Sequence, residues 1–121
     1  MRPRILIADD EPTIRKLLKL EFERAAFLVD LANDGNMALT LLQNVRYDAA
    51  VLDISMPVCD GLQVLRAIRQ QGLPMIVVMM TAYGSIDGAV TAMKMQADDY
   101  ITKPFDPPDL VERWSKSEGS R

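Results

Sequence analysis

Short apolar runs alternate along this chain with stretches in which apolar residues recur every three or four positions. The runs span residues 4–9, 28–31, 49–53, 75–80 and 100–102. Each is bounded by acidic residues, Gly or Pro, and together they predict five strands. Residues 5–8 and 77–80 show no polar alternation, as expected of strands buried on both faces of a parallel sheet. From residue 12 to 26, Ile14, Leu17, Leu18, Leu20 and Phe22 fall near a 3.6-residue period, with Glu11 and Pro12 suited to the first helical turn. Asp34 is placed to cap a second helix striped by Met37, Ala38, Leu41 and Leu42. Leu62, Val64, Leu65 and Ile68 mark a third that stops near Gly72. Ile86, Val90, Met93 and Ala97 mark a fourth helix, and Leu110, Val111 and Trp114 a short fifth after Asp106 and Pro107.

The order is strand then helix, five times over. It implies right-handed crossovers and an α/β fold, a parallel sheet with helices on both faces. At 121 residues the chain is long enough for about one such domain. In open sheets of this kind ligands gather outside the carboxyl ends of the strands. That edge is where the unusual residues fall: Asp9 and Asp10 end the first strand, Asp53 ends the third, Thr81 follows the fourth and Lys103 the fifth.

Composition narrows the chemistry. Hydrophobic residues at 49% and charged residues at 26% exclude a disordered or fibrous chain. A formal charge of −3 argues against direct nucleic-acid binding, because phosphate backbones select basic faces. No apolar run approaches the ~18–20 residues of a membrane span, and residues 1–4 lead into a short run without the h-region of a signal peptide. The single cysteine, Cys59, excludes an internal disulfide and points to a reducing, cytoplasmic home; it is assigned no other role. There is no histidine, so every histidine-based catalytic, metal or phosphocarrier role is excluded in this chain.

What remains is an oxygen-rich cluster with one lysine. Carboxylates within a few ångström of one another repel, so one must take a proton or a cation must sit among them. A set with neither His nor thiolate points to a hard ion, Mg²⁺ before Zn²⁺. With Lys103 and Thr81 able to hold phosphoryl oxygens, an Asp beside a metal becomes a credible phosphoryl acceptor. Each residue also has a plainer reading. Asp53 could cap a helix, as could Thr81; Lys103 could be a solvated charge, Tyr100 ordinary strand packing, and Met75, Met79, Met80, Met93 and Met95 core or edge filler.

Four motifs in order, Asp9-Asp10, "DISMPVCDG" from Asp53, "MTAYGS" from Met80 and "DDYITKPF" from Asp98, resemble those of the receiver domains of bacterial two-component response regulators. The resemblance runs from Arg4 to about Trp114 and implies a doubly wound, flavodoxin-like (βα)5 fold with strand order 2-1-3-4-5. Residues 1–114 would form the receiver, and the polar segment 115–121 a tail or the start of a linker to an output domain. By position, the resemblance implies that Asp53 is phosphorylated and that Asp10 ligates Mg²⁺, or Mn²⁺ in its place. Asp9, Asp53 and the Ser55 carbonyl would complete the protein ligands. Thr81 and Lys103 match the phosphate-sensing hydroxyl and the phosphate-binding lysine, and Tyr100 the aromatic whose rotamer follows phosphorylation. The Lys103–Pro104 bond matches one that is cis in the family. Ser55 and Tyr83 sit where side chains tune attack of water on the phosphoaspartate.

A switch of this kind takes its phosphoryl group from a sensor histidine kinase and catalyses its own aspartyl phosphorylation and dephosphorylation. The face of the fourth helix, fifth strand and fifth helix would then pass the signal to an output domain, an effector or a second copy in a phosphorylation-dependent homodimer. The stretch "TAYGSIDGAVTAMK" most resembles receivers of the nitrogen-regulator class, attached to ATPase-type transcription activators. One departure is Gln96, where receivers usually carry Gly; a left-handed helix end with a side chain costs roughly 1 kcal/mol. Two rivals share the acidic edge. A haloacid-dehalogenase-like phosphohydrolase needs a second acid two residues after the nucleophile, where this chain has Ser55. A pseudo-receiver that never takes phosphate would not need the complete set of Asp9, Asp10, Asp53, Thr81 and Lys103.

Overall fold

The computed structural model describes residues 2–81, 86–103, 108, 111 and 112, with the backbone alone for 86–89. Its elements are β1 (Arg4–Ala8), α1 (Pro12–Arg24), β2 (Leu28–Ala32), α2 (Gly35–Asn44), β3 (Ala49–Asp53), α3 (Gly61–Gln70), β4 (Ile76–Thr81), α4 (Ile86–Lys94) and β5 (Asp99–Thr102). The strands form one parallel sheet in the order β2-β1-β3-β4-β5, as the resemblance implied. Most of the fifth predicted helix lies outside the described residues, as does Trp114; within it Val111 and Glu112 are helical.

The unbroken apolar runs have the predicted cause. Along β1, Leu6 and Ala8 face a core shared with α2, α3 and α4, whereas Ile5 and Ile7 face a second core shared with α1 and Val111. Both layers are dry at the central strands, since all six residues of β4 are buried. Each fully buried Leu, Ile or Met there contributes roughly 1.5–3 kcal/mol.

The helix stripes are narrower than the periodicity suggested. On α1 only Leu18 and Phe22 are buried, with Ile14 partly so; Leu17 and Leu20 are about half exposed, at 49% and 47%. Against one sheet face the i, i+4 row 14-18-22 makes the contact, and residues 17 and 20 fall to either side of it. Phe22 then meets Phe27 edge to face, with ring centroids 5.0 Å apart.

Three helices end alike. Phe27 donates to the Phe22 carbonyl at 2.9 Å, Leu73 to Ile68 at 3.2 Å and Ala97 to Ala92 at 3.0 Å, a bond that requires a left-handed residue just before the donor. Those residues are Ala26 (φ 70°), Gly72 (φ 67°) and Gln96 (φ 70°). The turn after α4 is also clamped by Arg69, whose guanidinium donates to the Gln96 carbonyl (2.9 Å), the Met75 carbonyl (3.0 Å) and Asp98 Oδ2 (2.9 Å). At the same amino end of the parallel strands, but toward the β2 edge of the sheet, Asp30 accepts from Arg4 Nε (3.1 Å) and the Tyr47 hydroxyl (2.6 Å), joining β1, β2 and the approach to β3. Burial and then the Asp30 hydrogen bond hold the Tyr47 hydroxyl well above its ordinary pKa. Replacing Gln96 by Gly is expected to stabilise the protein by roughly 1 kcal/mol, because only Gly adopts this φ without a side-chain clash. Replacing Gly72 by Ala should cost a similar amount, both being read from the midpoint of urea unfolding.

Candidate functional site

Strand register gathers the site. Ala8 pairs with Leu52, so Asp9 emerges beside Asp53; Asp53 pairs with Met80, one residue before Thr81; Thr81 pairs with Thr102, one residue before Lys103. The Lys103 N–H donates to the Thr81 carbonyl at 2.8 Å, fixing the backbone at the end of β5 to that of β4. β1 stops at Ala8 rather than at Asp9, because the Asp9 side chain turns the chain: its Oδ1 accepts from the Glu11 N–H at 2.8 Å. Arg15 Nη1 reaches back from α1 to the Asp9 carbonyl at 2.7 Å.

Asp9, Asp53 and Thr81 are buried, and Asp10 is exposed. Asp9, Asp10 and Asp53 each offer a carboxylate oxygen, all within 4.8 Å of one another. Lys103 projects into this group. Its Nζ lies 3.0 Å from Asp53 Oδ2, 2.9 Å from Asp9 Oδ2 and 3.2 Å from Glu11 Oε1. The Asp9 contact is a charge pairing without hydrogen-bond geometry, so Asp9 Oδ2 is a buried oxygen with no hydrogen bond among the described residues. An orphaned carboxylate oxygen in an all-oxygen set fits a hard divalent cation, to which Asp9, Asp10 and Asp53 could each give one ligand.

Burial is the main reason that Asp53 holds its proton up to about pH 6; Asp9's charge adds to it, and the Lys103 hydrogen bond opposes it. For Lys103, burial works against the charged form, but Asp9 and Asp53 outweigh it and the ammonium is held above its ordinary value. The site is thus a charged lysine among more negative charge than it can neutralise.

The loop after Asp53 is built for close approach. Gly61 opens α3 directly over the Asp53 carbonyl, where a Cβ would stand 2.1 Å from the oxygen, and its N–H donates to the Ile54 carbonyl at 3.1 Å. Gly35 opens α2 against the Cys59 carbonyl in the same way, at 2.0 Å. Cys59 is buried with the core residues on that side of the sheet, and its thiol is held above its ordinary pKa chiefly by burial. Between them in sequence Val58, 81% exposed, takes φ 69°, a strained conformation for a β-branched residue. Ser55 is exposed, and its N–H donates to Asp53 Oδ1 at 3.1 Å. Tyr100 is exposed on the edge strand β5, opposite Met79. Tyr83 and Pro104, and with it the Lys103–Pro104 bond, lie outside the described residues.

Glu11 corrects its sequence reading. It precedes α1 as the N-cap residue, makes no capping bond with its side chain, and pairs with Lys103 instead. A separation of 92 positions leaves no local signal for that contact.

The chain matches the family model of the response regulator receiver domain over residues 5–115. The chain belongs to that family. This receiver domain is 40% identical over 113 residues to the response regulator MprA of Mycobacterium sp. (strain KMS), covering 93% of the chain and 49% of MprA. It is 38% identical over 113 residues to the alkaline phosphatase synthesis transcriptional regulatory protein PhoP of Bacillus subtilis, covering 93% of the chain and 47% of PhoP. The receiver domain thus spans about half the length of these curated relatives. The solved receiver domain of Francisella response regulator 1452 matches it with a TM-score of 0.90 at 32% identity, covering 99% of this chain and 100% of that one. Among the described residues of the receiver domain, no helix is long and apolar enough to cross a membrane.

Gly61→Ala should push the Asp53 backbone out of register with the site. The expected cost is roughly 1–3 kcal/mol of stability, as for other overpacked positions, measured by urea unfolding.

Proposed function

We propose that Asp53 accepts a phosphoryl group from the phosphohistidine of a partner sensor kinase and that the receiver domain acts as a phosphorylation-dependent switch. The observation that carries this reading is the buried Asp53 carboxylate, held 3.0 Å from Lys103 with Asp9 and Asp10 alongside. An Asp53 oxygen attacks phosphorus as the P–N bond breaks, and the kinase imidazole keeps the electron pair of that bond. Lys103 offsets the charge that develops on the phosphoryl oxygens, and the Thr81 hydroxyl holds one of them. Asp9, Asp10, Asp53 and the Ser55 carbonyl are proposed to hold Mg²⁺, or Mn²⁺ in its place. When bound, the ion neutralises carboxylate and phosphoryl charge. Water later attacks the acyl phosphate, at a rate tuned by the side chains of Ser55 and Tyr83.

Drawing Thr81 and Lys103 toward the new charge biases the face made by α4, β5 and the segment that follows, with Tyr100 turning as it does so. That face is the proposed contact for an output domain, an effector protein or a second copy, and it exposes Val90 (47%), Met93 (46%) and Tyr100 (39%). The controlled output is proposed to be transcription, after relatives named as transcriptional regulators; the receiver itself is not assigned nucleic-acid contact. Residues 1–114 are the proposed receiver unit and 115–121 the start of its tail, in a cytoplasmic protein.

With Mg²⁺ and acetyl phosphate, the protein should gain one phosphoryl group that hydroxylamine removes, and Asp53→Asn should gain none, by intact-mass spectrometry. Steady release of inorganic phosphate without that species would favour a phosphohydrolase. No reaction at all would favour a pseudo-receiver. In the absence of any donor, Mg²⁺ at about a hundred times its Kd should raise unfolding stability by about 2.7 kcal/mol, and Asp10→Asn should remove most of that gain in thermal melts.

A further inference from the structure

The start of α1 differs in chemistry from those of α2 and α3. Asp34 and Asp60 cap their helices with their side chains, accepting from the Met37 N–H at 2.8 Å and the Gln63 N–H at 2.9 Å. Glu11 makes no such bond, and glutamate is not among the residues favoured there. Its two polar ends point to the site instead. The backbone N–H is bound to Asp9 Oδ1 at 2.8 Å, and Oε1 is bound to Lys103 Nζ at 3.2 Å.

Lys103 therefore faces three carboxylates within 3.2 Å: Asp9, Asp53 and Glu11. An ammonium has three N–H donors and no more. Asp53 and Glu11 take two of them and Asp9 is held by charge alone, so a phosphoryl group arriving on Asp53 competes with all three carboxylates for one ammonium, and the partner held least firmly gives way first. Asp9 and Asp53 are held in place, for both are buried and each is fastened through its second oxygen to a backbone N–H, of Glu11 and Ser55 respectively. The Glu11 side chain is 59% exposed and can turn into water, where a carboxylate is well solvated and an exposed ion pair is weak.

We propose that Glu11 is the displaceable partner of Lys103, a positioning residue that holds the ammonium before phosphoryl capture and must release it when the phosphoryl group docks. Its negative charge stands where an anionic donor approaches, so it opposes capture a second time. Glu11 thereby sets how readily this site fills. The inference rests on the reading of Asp53 as the phosphoryl acceptor.

The test is calorimetric binding of beryllofluoride, a phosphoryl mimic, to the 121-residue chain in saturating Mg²⁺, comparing the wild type with Glu11→Gln. Glu11→Gln should bind about three- to fivefold more tightly in low salt, and the difference should shrink toward unity as KCl rises to about 0.5 M. Equal or weaker binding by Glu11→Gln, or a gain of undiminished size in high salt, would overturn the role of Glu11 while leaving Asp53 as acceptor. Failure of the wild type to bind beryllofluoride would overturn the acceptor reading itself, and the role of Glu11 with it. Urea midpoints of the two proteins should agree closely, since an exposed residue carries little of the fold; a large loss in the variant would make Glu11 structural and count against the proposal.

Discussion

The structure turns on one ammonium group. Lys103 brings a single positive charge to Asp9 and Asp53, which the ends of β1 and β3 place too close together to be charged comfortably without it. The balance is deliberately short of neutrality. Asp53 holds its proton unusually tightly despite the lysine, because burial and Asp9 outweigh it. A site left in that condition has affinity for further positive charge, and the unbonded Asp9 Oδ2 is where that demand is most visible. The same imbalance prepares the lysine to respond when the distribution of negative charge around Asp53 changes.

The rest of the fold serves to hold these groups at fixed distance. Parallel register sets the heights of Asp9, Asp53, Thr81 and Lys103, so a one-residue slip in any strand would turn a functional side chain to the other face. Two glycines let α2 and α3 start in contact with the loop after β3, and Arg15 fastens the turn after β1. On the far side of the sheet edge, Arg69 ties α3, β4 and the turn after α4 through Asp98 and two carbonyls. Charge at Asp53 is thereby set within a frame whose neighbouring parts are cross-braced by hydrogen bonds, which is what the proposed switch, one of packing rather than of folding, would require.

Much of this was legible in the sequence for physical reasons. Residues 5–8 and 77–80 lack alternation because two cores flank them, and the acidic and basic residues at strand ends betray a shared edge even before a family likeness is considered. Gln96 in a glycine place was legible too, and it carries the positive φ that the place demands. What escaped notice depends on three-dimensional proximity. Leu17 and Leu20 share the period of α1 but not its contact row. The Arg4–Asp30–Tyr47 cluster, the Arg69 clamp and the Glu11–Lys103 pair join residues far apart in sequence, and neither spacing nor propensity encodes them. Val58 gave no warning of its left-handed backbone, since β-branched residues are the last to be expected there.

The central claim is that Asp53 sits in excess negative charge, relieved only in part by Lys103. It is tested most directly by following the Asp53 carboxyl carbon by NMR as pH is varied, first without and then with Mg²⁺. Without the ion the midpoint should lie near 6, so that Asp53 favours the folded state below about pH 4 and this contribution is lost as pH rises through 6. With Mg²⁺ the midpoint should move down, because a cation beside the carboxylate favours its charged form. A midpoint near the ordinary value of 3.8, unmoved by Mg²⁺, would contradict the account.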